Sequence, residues 1–241
     1  GRANDVTMTS DLVGRRFDQP MHRIDGTDLF YYSSHLESDA RITYHYTLDL
    51  QKSIPDPLNP RSIRSLYFGR ASWFGMPQWR VPDHLKERQD GIHGRIDFLR
   101  FESDSIRGSR ILEVYLPAGY DGSEGRYPVV YVHASRRPWT LGRVDVSLDN
   151  IIGKRVRPVI VVFVPSLVGG GYTEYVGSKR DAYSRIFVDE VVPFVDRTYR
   201  TVASREGRAN MGTIYGAFMA FYATFAHPDI FGKLAIQTMA W

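Results

Sequence analysis

The 241 residues predict an all-β unit followed by an α/β unit. Three observations carry this reading. The front of the chain holds short runs rich in β-branched and aromatic residues with turn formers between them. The second part holds two near-continuous apolar runs, Pro128-Val129-Val130-Tyr131-Val132 and Val159-Ile160-Val161-Val162-Phe163-Val164, which suit parallel strands buried on both faces. Stretches with apolar residues at helical spacing alternate with those runs, and this alternation defines the α/β class.

The first unit is expected over residues 1–90. Leu29-Phe30-Tyr31-Tyr32 and Ile42-Thr43-Tyr44-His45-Tyr46-Thr47-Leu48 read as strands. Three prolines in Ile54-Pro55-Asp56-Pro57-Leu58-Asn59-Pro60 remove backbone donors, so this stretch is neither helix nor central strand and is expected to be an ordered loop. An all-β sandwich accounts for this half. Trp73, Phe74 and Trp79 fall in a stretch with nearby Gly and Pro, read as a loop.

The second unit is expected over residues 91–241, with strands from Gly94-Arg95-Ile96-Asp97-Phe98 and through Arg110 to Pro117. Val144, Leu148, Ile151 and Ile152 recur at helical spacing, and so do Tyr183, Phe187, Val191, Phe194 and Val195. Pro193 is expected to kink or end the second of these helices. A helix from Ala217 to Phe225 and a strand over Lys233-Leu234-Ala235-Ile236-Gln237 complete the alternation.

Charge and composition exclude several classes of function. The formal net charge of +4 is a mild excess. The adjacent basic pairs Arg15-Arg16, Arg136-Arg137, Lys154-Arg155 and Lys179-Arg180 are far apart in the chain. That is the pattern of a solvated surface rather than a nucleic-acid track. Cysteine is absent, which excludes disulfides and thiolate metal sites. No apolar run reaches the length of a membrane span. The start at Gly1 shows no signal-peptide pattern, and the end at Trp241 directly follows a strand-like run. We therefore expect the sheet to lack its C-terminal portion and the last strand to present an edge that a protein partner covers.

The most informative motif is Gly212-Thr213-Ile214-Tyr215-Gly216. It has the frame of a G-x-S-x-G nucleophile elbow, placed before a helix as the elbow requires, with isoleucine at the serine position. Isoleucine has no oxygen to attack with and no proton to give up. The elbow tip is normally strained, which for a β-branched residue costs on the order of 1–3 kcal/mol. Either the turn has relaxed or the scaffold forces it.

Four segments resemble the enterochelin esterase and esterase D family of α/β-hydrolases, in the family's order. They are Val114 to Tyr120 with Arg126 to His133, Phe187 to Thr201, the elbow frame, and His227-Pro228-Asp229-Ile230-Phe231-Gly232-Lys233. The front half is similar to the immunoglobulin-like β-sandwich that precedes the hydrolase domain in such proteins, through Asp39 to Tyr44 and Asp56 to Pro60. The resemblance implies a serine carboxylic-ester hydrolase fold without a cofactor, and a periplasmic or secreted location. The departures fall on chemistry. The family's serine aligns with Ile214, a glycine after the elbow with Ala217, its Ser-Gln-Ser with Ile236-Gln237-Thr238, and its glycine-bearing oxyanion turn with His133-Ala134-Ser135.

The remaining triad members are also missing from these residues. In this fold the acid and the histidine follow the nucleophile, and only Asp229 and His227 do so here. A helix of ~12 residues would carry them roughly 18 Å from the elbow. Ser135 lies too near His133 in sequence to form a nucleophile–base pair. Gly169-Gly170-Gly171 lacks the Lys and Ser/Thr of a phosphate loop and reads as a loop over the cleft. Asp145, Asp149 and Asp181 lack metal-ligand spacing, so no metal is expected. Tyr31, Tyr32, Tyr44 and Tyr46 admit a ligand platform, with strand packing as the plainer account.

The sequence thus reads as an esterase-family chain without catalytic residues, kept to bind a small ester-like ligand or a partner. His133, Trp73, Trp79 and Tyr215 are its candidate binding residues. The alternatives are an active esterase on siderophore or carbohydrate esters, if the chain is an altered fragment, and a subunit of a larger assembly.

Overall fold

The computed structural model describes residues 3–12, 19–65, 69–105, 108–133, 142–166 and 171–241. The chain divides into two compact units, Gly1–Val81 and Pro82–Trp241.

The first unit contains β1 (Val6–Ser10), β2 (Gln19–Pro20), β3 (His22–Arg23), β4 (Phe30–Tyr31), β5 (Arg41–Leu48), β6 (Lys52–Ile54), β7 (Ser62–Ser65) and β8 (Gly69–Gly75). Six of these form one antiparallel sheet in the order β2-β1-β5-β8-β7, with β6 also paired to β5, while β3 and β4 form a separate two-stranded ladder. Trp73 and Phe74 therefore lie inside a strand, not in the loop that neighbouring Gly and Pro suggest. The proline-rich stretch forms the link between β6 and β7, held by Asn59 Nδ2 donating to the Trp73 carbonyl at 3.0 Å.

The second unit adds β9 (Arg95–Ser103), β10 (Gly108–Leu116), β11 (Val129–His133), β12 (Ile160–Phe163), β13 (Arg208–Thr213) and β14 (Lys233–Gln237). They form one six-stranded sheet in the order β14-β13-β11-β12-β10-β9. The neighbours β12, β11, β13 and β14 run parallel, and β10 and β9 are antiparallel additions. The apolar runs are the central strands, and their alternation sorts the core. Val129, Tyr131, Ile160 and Val162 point to one face, and Val132, Val161 and Phe163 to the other. A parallel strand covered on both faces has no polar side to show, so its sequence is apolar throughout.

Helix α1 (Val144–Ile151) covers the second face through Val144 and Leu148. The first face is covered by α2 (Arg180–Ile186), a π-turn (Phe187–Val191) and α3 (Val192–Thr198), which run on without a break. Pro193 does not end this helix. It enters the first turn of α3, and the widened π-turn lies just before it. A proline removes one i→i−4 bond and crowds the carbonyl four residues back, and a π-turn accommodates both effects.

Helix α4 (Tyr215–Ala226) lies on the same face. Its Ala217, Ala220 and Ala223 are fully buried, and small side chains at this spacing let a helix approach a sheet closely. Among the described residues, no helix is long and apolar enough to cross a membrane.

Candidate functional site: an elbow with an isoleucine tip

Strand β13 ends at Thr213 and α4 starts at Tyr215, so a single residue, Ile214, makes the turn between them. Its backbone sits at φ 56°, ψ −118°. Positive φ is a genuine outlier for a β-branched residue, because the Cβ crowds its own backbone. The turn has not relaxed; the scaffold holds it.

Two sets of contacts explain the hold. The Ile214 N–H donates to the Gln237 carbonyl at 3.1 Å, and its carbonyl accepts from Ala217 N at 3.2 Å and Ala240 N at 3.2 Å. The glycines of the frame let strand and helix meet without a gap. A Cβ on Gly212 would lie 2.0 Å from the Gly216 carbonyl oxygen, and one on Gly216 would lie 1.9 Å from that of His133. Two glycines therefore press α4 onto β11 and β13, and the residue between them has no room for an ordinary turn.

The strain makes a testable statement. Glycine is ordinarily less stable than alanine by about 0.5–1 kcal/mol within regular structure. At position 214 the order is expected to reverse. Both substitutions remove the same apolar branches, but only glycine frees the backbone. Ile214→Gly should therefore exceed Ile214→Ala by about 1 kcal/mol in urea unfolding. Equal stabilities, or alanine ahead, would show an unstrained turn.

The surroundings of the tip are aromatic. Ile214 is 37% exposed. Tyr215 packs edge-on against Tyr172, with ring centroids 5.4 Å apart, and Tyr172 is half exposed. The Tyr215 N–H stands at the first helical position, where no intrahelical acceptor is available. Thr213 Oγ1 pairs with Gln237 Oε1 at 3.3 Å. Tyr172 comes from a π-turn, Tyr172–Val176, entered through Gly171 at φ 98°. Sequence reasoning read the glycine run before it as a loop and gave Tyr172 no role; a tyrosine directly after a run of three glycines was the available signal.

Beneath the elbow lies a buried polar layer. His133 ends β11 and is fully buried, with Nδ1 3.0 Å from the Tyr183 hydroxyl. Burial pushes its imidazole down to about 3, the neighbouring Asn210 amide opposes that shift, and the Arg110 charge adds to it. The ring is therefore neutral at physiological pH. Arg110 meets Glu174 bidentately, Nη1 to Oε2 at 3.1 Å and Nη2 to Oε1 at 3.0 Å. Its guanidinium also lies 5.0 Å from the Tyr183 ring. Because Glu174 belongs to the turn that carries Tyr172, this ion pair anchors the aromatic wall from below.

Other sequence candidates are dispersed. Trp73 and Trp79 pack edge-on in the first unit at 5.3 Å, with Arg41 4.6 Å from the Trp73 ring. Their side chains thus already have partners within that unit. His227 follows the last turn of α4 and faces Ser184 Oγ at 3.4 Å. Asp149 organises its own surroundings, accepting from Tyr115 Oη at 2.7 Å and Gly94 N at 2.8 Å. Asp181 accepts from Tyr222 Oη at 2.9 Å. Ala134, Ser135, Gly169 and Gly170 lie outside the described residues. Among the described residues no three His, Asp or Glu side chains gather as a metal site.

Comparison with known proteins agrees with this topology. The endo-1,4-beta-xylanase/feruloyl esterase of Xylanibacter ruminicola is 28% identical over 183 residues, 68% of this chain and 25% of that protein. The uncharacterized protein YjcH of Bacillus subtilis is 29% identical over 150 residues, 61% of this chain and 62% of its own length. The chain thus spans less than two thirds of these relatives. The crystal structure of ferric enterobactin esterase from Salmonella typhimurium superposes with a TM-score of 0.77 at 17% identity, covering 98% of this chain and 67% of that one, a likeness of fold. The model of the Esterase family, described as "Putative esterase", matches residues 103–240, and by that match the chain belongs to this family.

Proposed function

We propose that this chain does not hydrolyse esters through its elbow and instead keeps the family's cleft for binding a small ester-like ligand. The observation that carries the reading is the isoleucine at the elbow tip. Esterases of this fold need an oxygen at that point, an activating base and an acid behind it. Here the tip is hydrocarbon. His227 is engaged at the far end of α4. Tyr215 and Tyr172 supply an aromatic wall beside the tip, and the neutral His133 packs on Tyr175 in the turn that carries Tyr172. The first unit is read as the immunoglobulin-like sandwich found ahead of similar hydrolase domains, a reading supported by a structural match that extends over 98% of the chain.

The expected result with p-nitrophenyl butyrate is a rate equal to the protein-free blank for the natural chain. Hydrolysis that scales with the amount of natural chain and persists through a second purification step would overturn the reading.

A second reading, a subunit of a larger assembly, is favoured by the surface next to β14. Ile236 is 44% exposed and Phe225 on α4 is 67% exposed, and Phe225 pairs with Phe221 at 4.6 Å. A sheet edge with apolar neighbours invites pairing. Native mass measurement should then show a complex or a self-associated form, and free monomer alone counts against it.

A further inference from the structure

The first unit contains an aromatic pocket that the elbow does not account for. Ile42, Tyr44 and Tyr46 alternate along β5 and so share one face of the sheet. The register brings Met8 opposite Tyr46 and Phe74 opposite Ile42 on that face. Three strands thus lay five apolar or aromatic side chains side by side. Across from them stand residues outside regular strands, among them Tyr32 and Leu36. Between the two walls lies a cavity of about 270 Å³.

The space opens to solvent beside the exposed Ser34, so it is a surface pocket rather than an interior void. Its lining is mainly apolar or aromatic, whereas a held water needs two to four polar partners. The Tyr44 hydroxyl is already committed, donating to Asp56 Oδ2 at 2.7 Å and accepting from Asn59 Nδ2 at 3.0 Å. Asp56 is in turn fixed by its own N–H, which donates to Ser72 Oγ at 2.9 Å. The sheet wall is therefore rigid before any ligand arrives. Tyr44 meets Tyr46 at 5.6 Å and Phe74 at 5.7 Å, both edge-on, so ring edges and faces are both offered. Methionine sulfur at Met8 and Met21, which also line the space, makes favourable contacts with rings. The opposite wall lies outside regular strands and offers the hydroxyls of Ser34 and Tyr32 as polar groups.

We propose that this pocket binds a flat aromatic molecule of one or two fused rings, its ring plane against the Tyr44–Phe74 side and any polar substituent toward Ser34. An engineered cavity of about 150 Å³ already takes up benzene, so the larger space admits a bicyclic ligand. This function is independent of the elbow and of what the second unit binds.

The probe is indole, added to the full chain and followed by saturation-transfer NMR and isothermal titration. Binding is expected with a dissociation constant of about 1 mM or tighter, the range open to a ligand of this size. Ile42→Phe fills the pocket from the sheet side and should weaken binding at least tenfold. Leu36→Phe narrows it from the other wall, outside any strand, and should do the same even if the sheet variant fails to fold. Absence of binding at about 5 mM, or equal binding by a folded filled variant, overturns the proposal. Binding of xylose or glucose with no response to indole also overturns it, in favour of a carbohydrate site.

Discussion

Replacing Gly216 by alanine is expected to cost more than about 3 kcal/mol, enough to unfold much of the second unit. The added methyl would lie 1.9 Å from the His133 carbonyl oxygen and 2.7 Å from its carbon. Both are backbone atoms of a central strand, so no rotamer change can clear them. Overpacking a core costs typically 1–3 kcal/mol where side chains can yield, and here they cannot. Gly212→Ala should behave alike, since its methyl would meet the Gly216 carbonyl at 2.0 Å. Gly122→Ala is the control. Nothing lies within 4 Å of a Cβ there, and a surface change of that kind falls within about 0.5 kcal/mol. Urea unfolding of the three variants decides the matter. Wild-type midpoints for Gly216→Ala and Gly212→Ala would mean that α4 does not rest on β11 and β13 as described.

The second large effect is expected at Glu174. Its carboxylate and the Arg110 guanidinium are 6% and 1% exposed and meet through two hydrogen bonds. Glu174→Gln removes one charge and leaves the other buried without a counterion. Breaking a buried pair in this way costs about 3–5 kcal/mol, a large share of the 5–15 kcal/mol that holds a typical domain folded. The charge itself, rather than volume, is the cause, so Arg110→Met combined with Glu174→Leu should recover most of the loss. A single variant as stable as the natural chain would mean the pair is solvated in solution. The expected consequence reaches the site. Glu174 and Tyr172 share one turn, so loss of the pair should loosen the ring that packs on Tyr215.

The two parts of the chain were unequally legible. In the second unit, continuous apolar runs map directly onto strands with two covered faces, so β11, β12 and helix α1 between them could be read off the residues. In the first unit, strands are short and their residues ambiguous. Trp73 looked like loop because Gly and Pro lie near it, whereas cross-strand pairing with Thr43 places it inside β8. Pro193 looked like a helix kink or end, and the neighbouring π-turn is a response that sequence periodicity does not encode.

The site divides in the same way. Its chemistry was legible at one letter. Gly212 and Gly216 with isoleucine between them state that the elbow is present and its oxygen is not. A hydrocarbon side chain has no lone pair and cannot become a nucleophile in any fold, so this much follows from covalent structure alone. Whether Ile214 would carry the strain was a question of tertiary structure. The answer lies in contacts far apart in sequence, the carbonyl of His133 against Gly216 and that of Gln237 on Ile214 N. The aromatic wall and its buried anchor were likewise invisible in sequence, because Arg110 meets Glu174, and Tyr172 meets Tyr215, only when three separate segments pack. Local propensity and covalent chemistry are written in the order of residues; strain, burial and charge pairing arise from which distant residues the fold brings within a few ångströms.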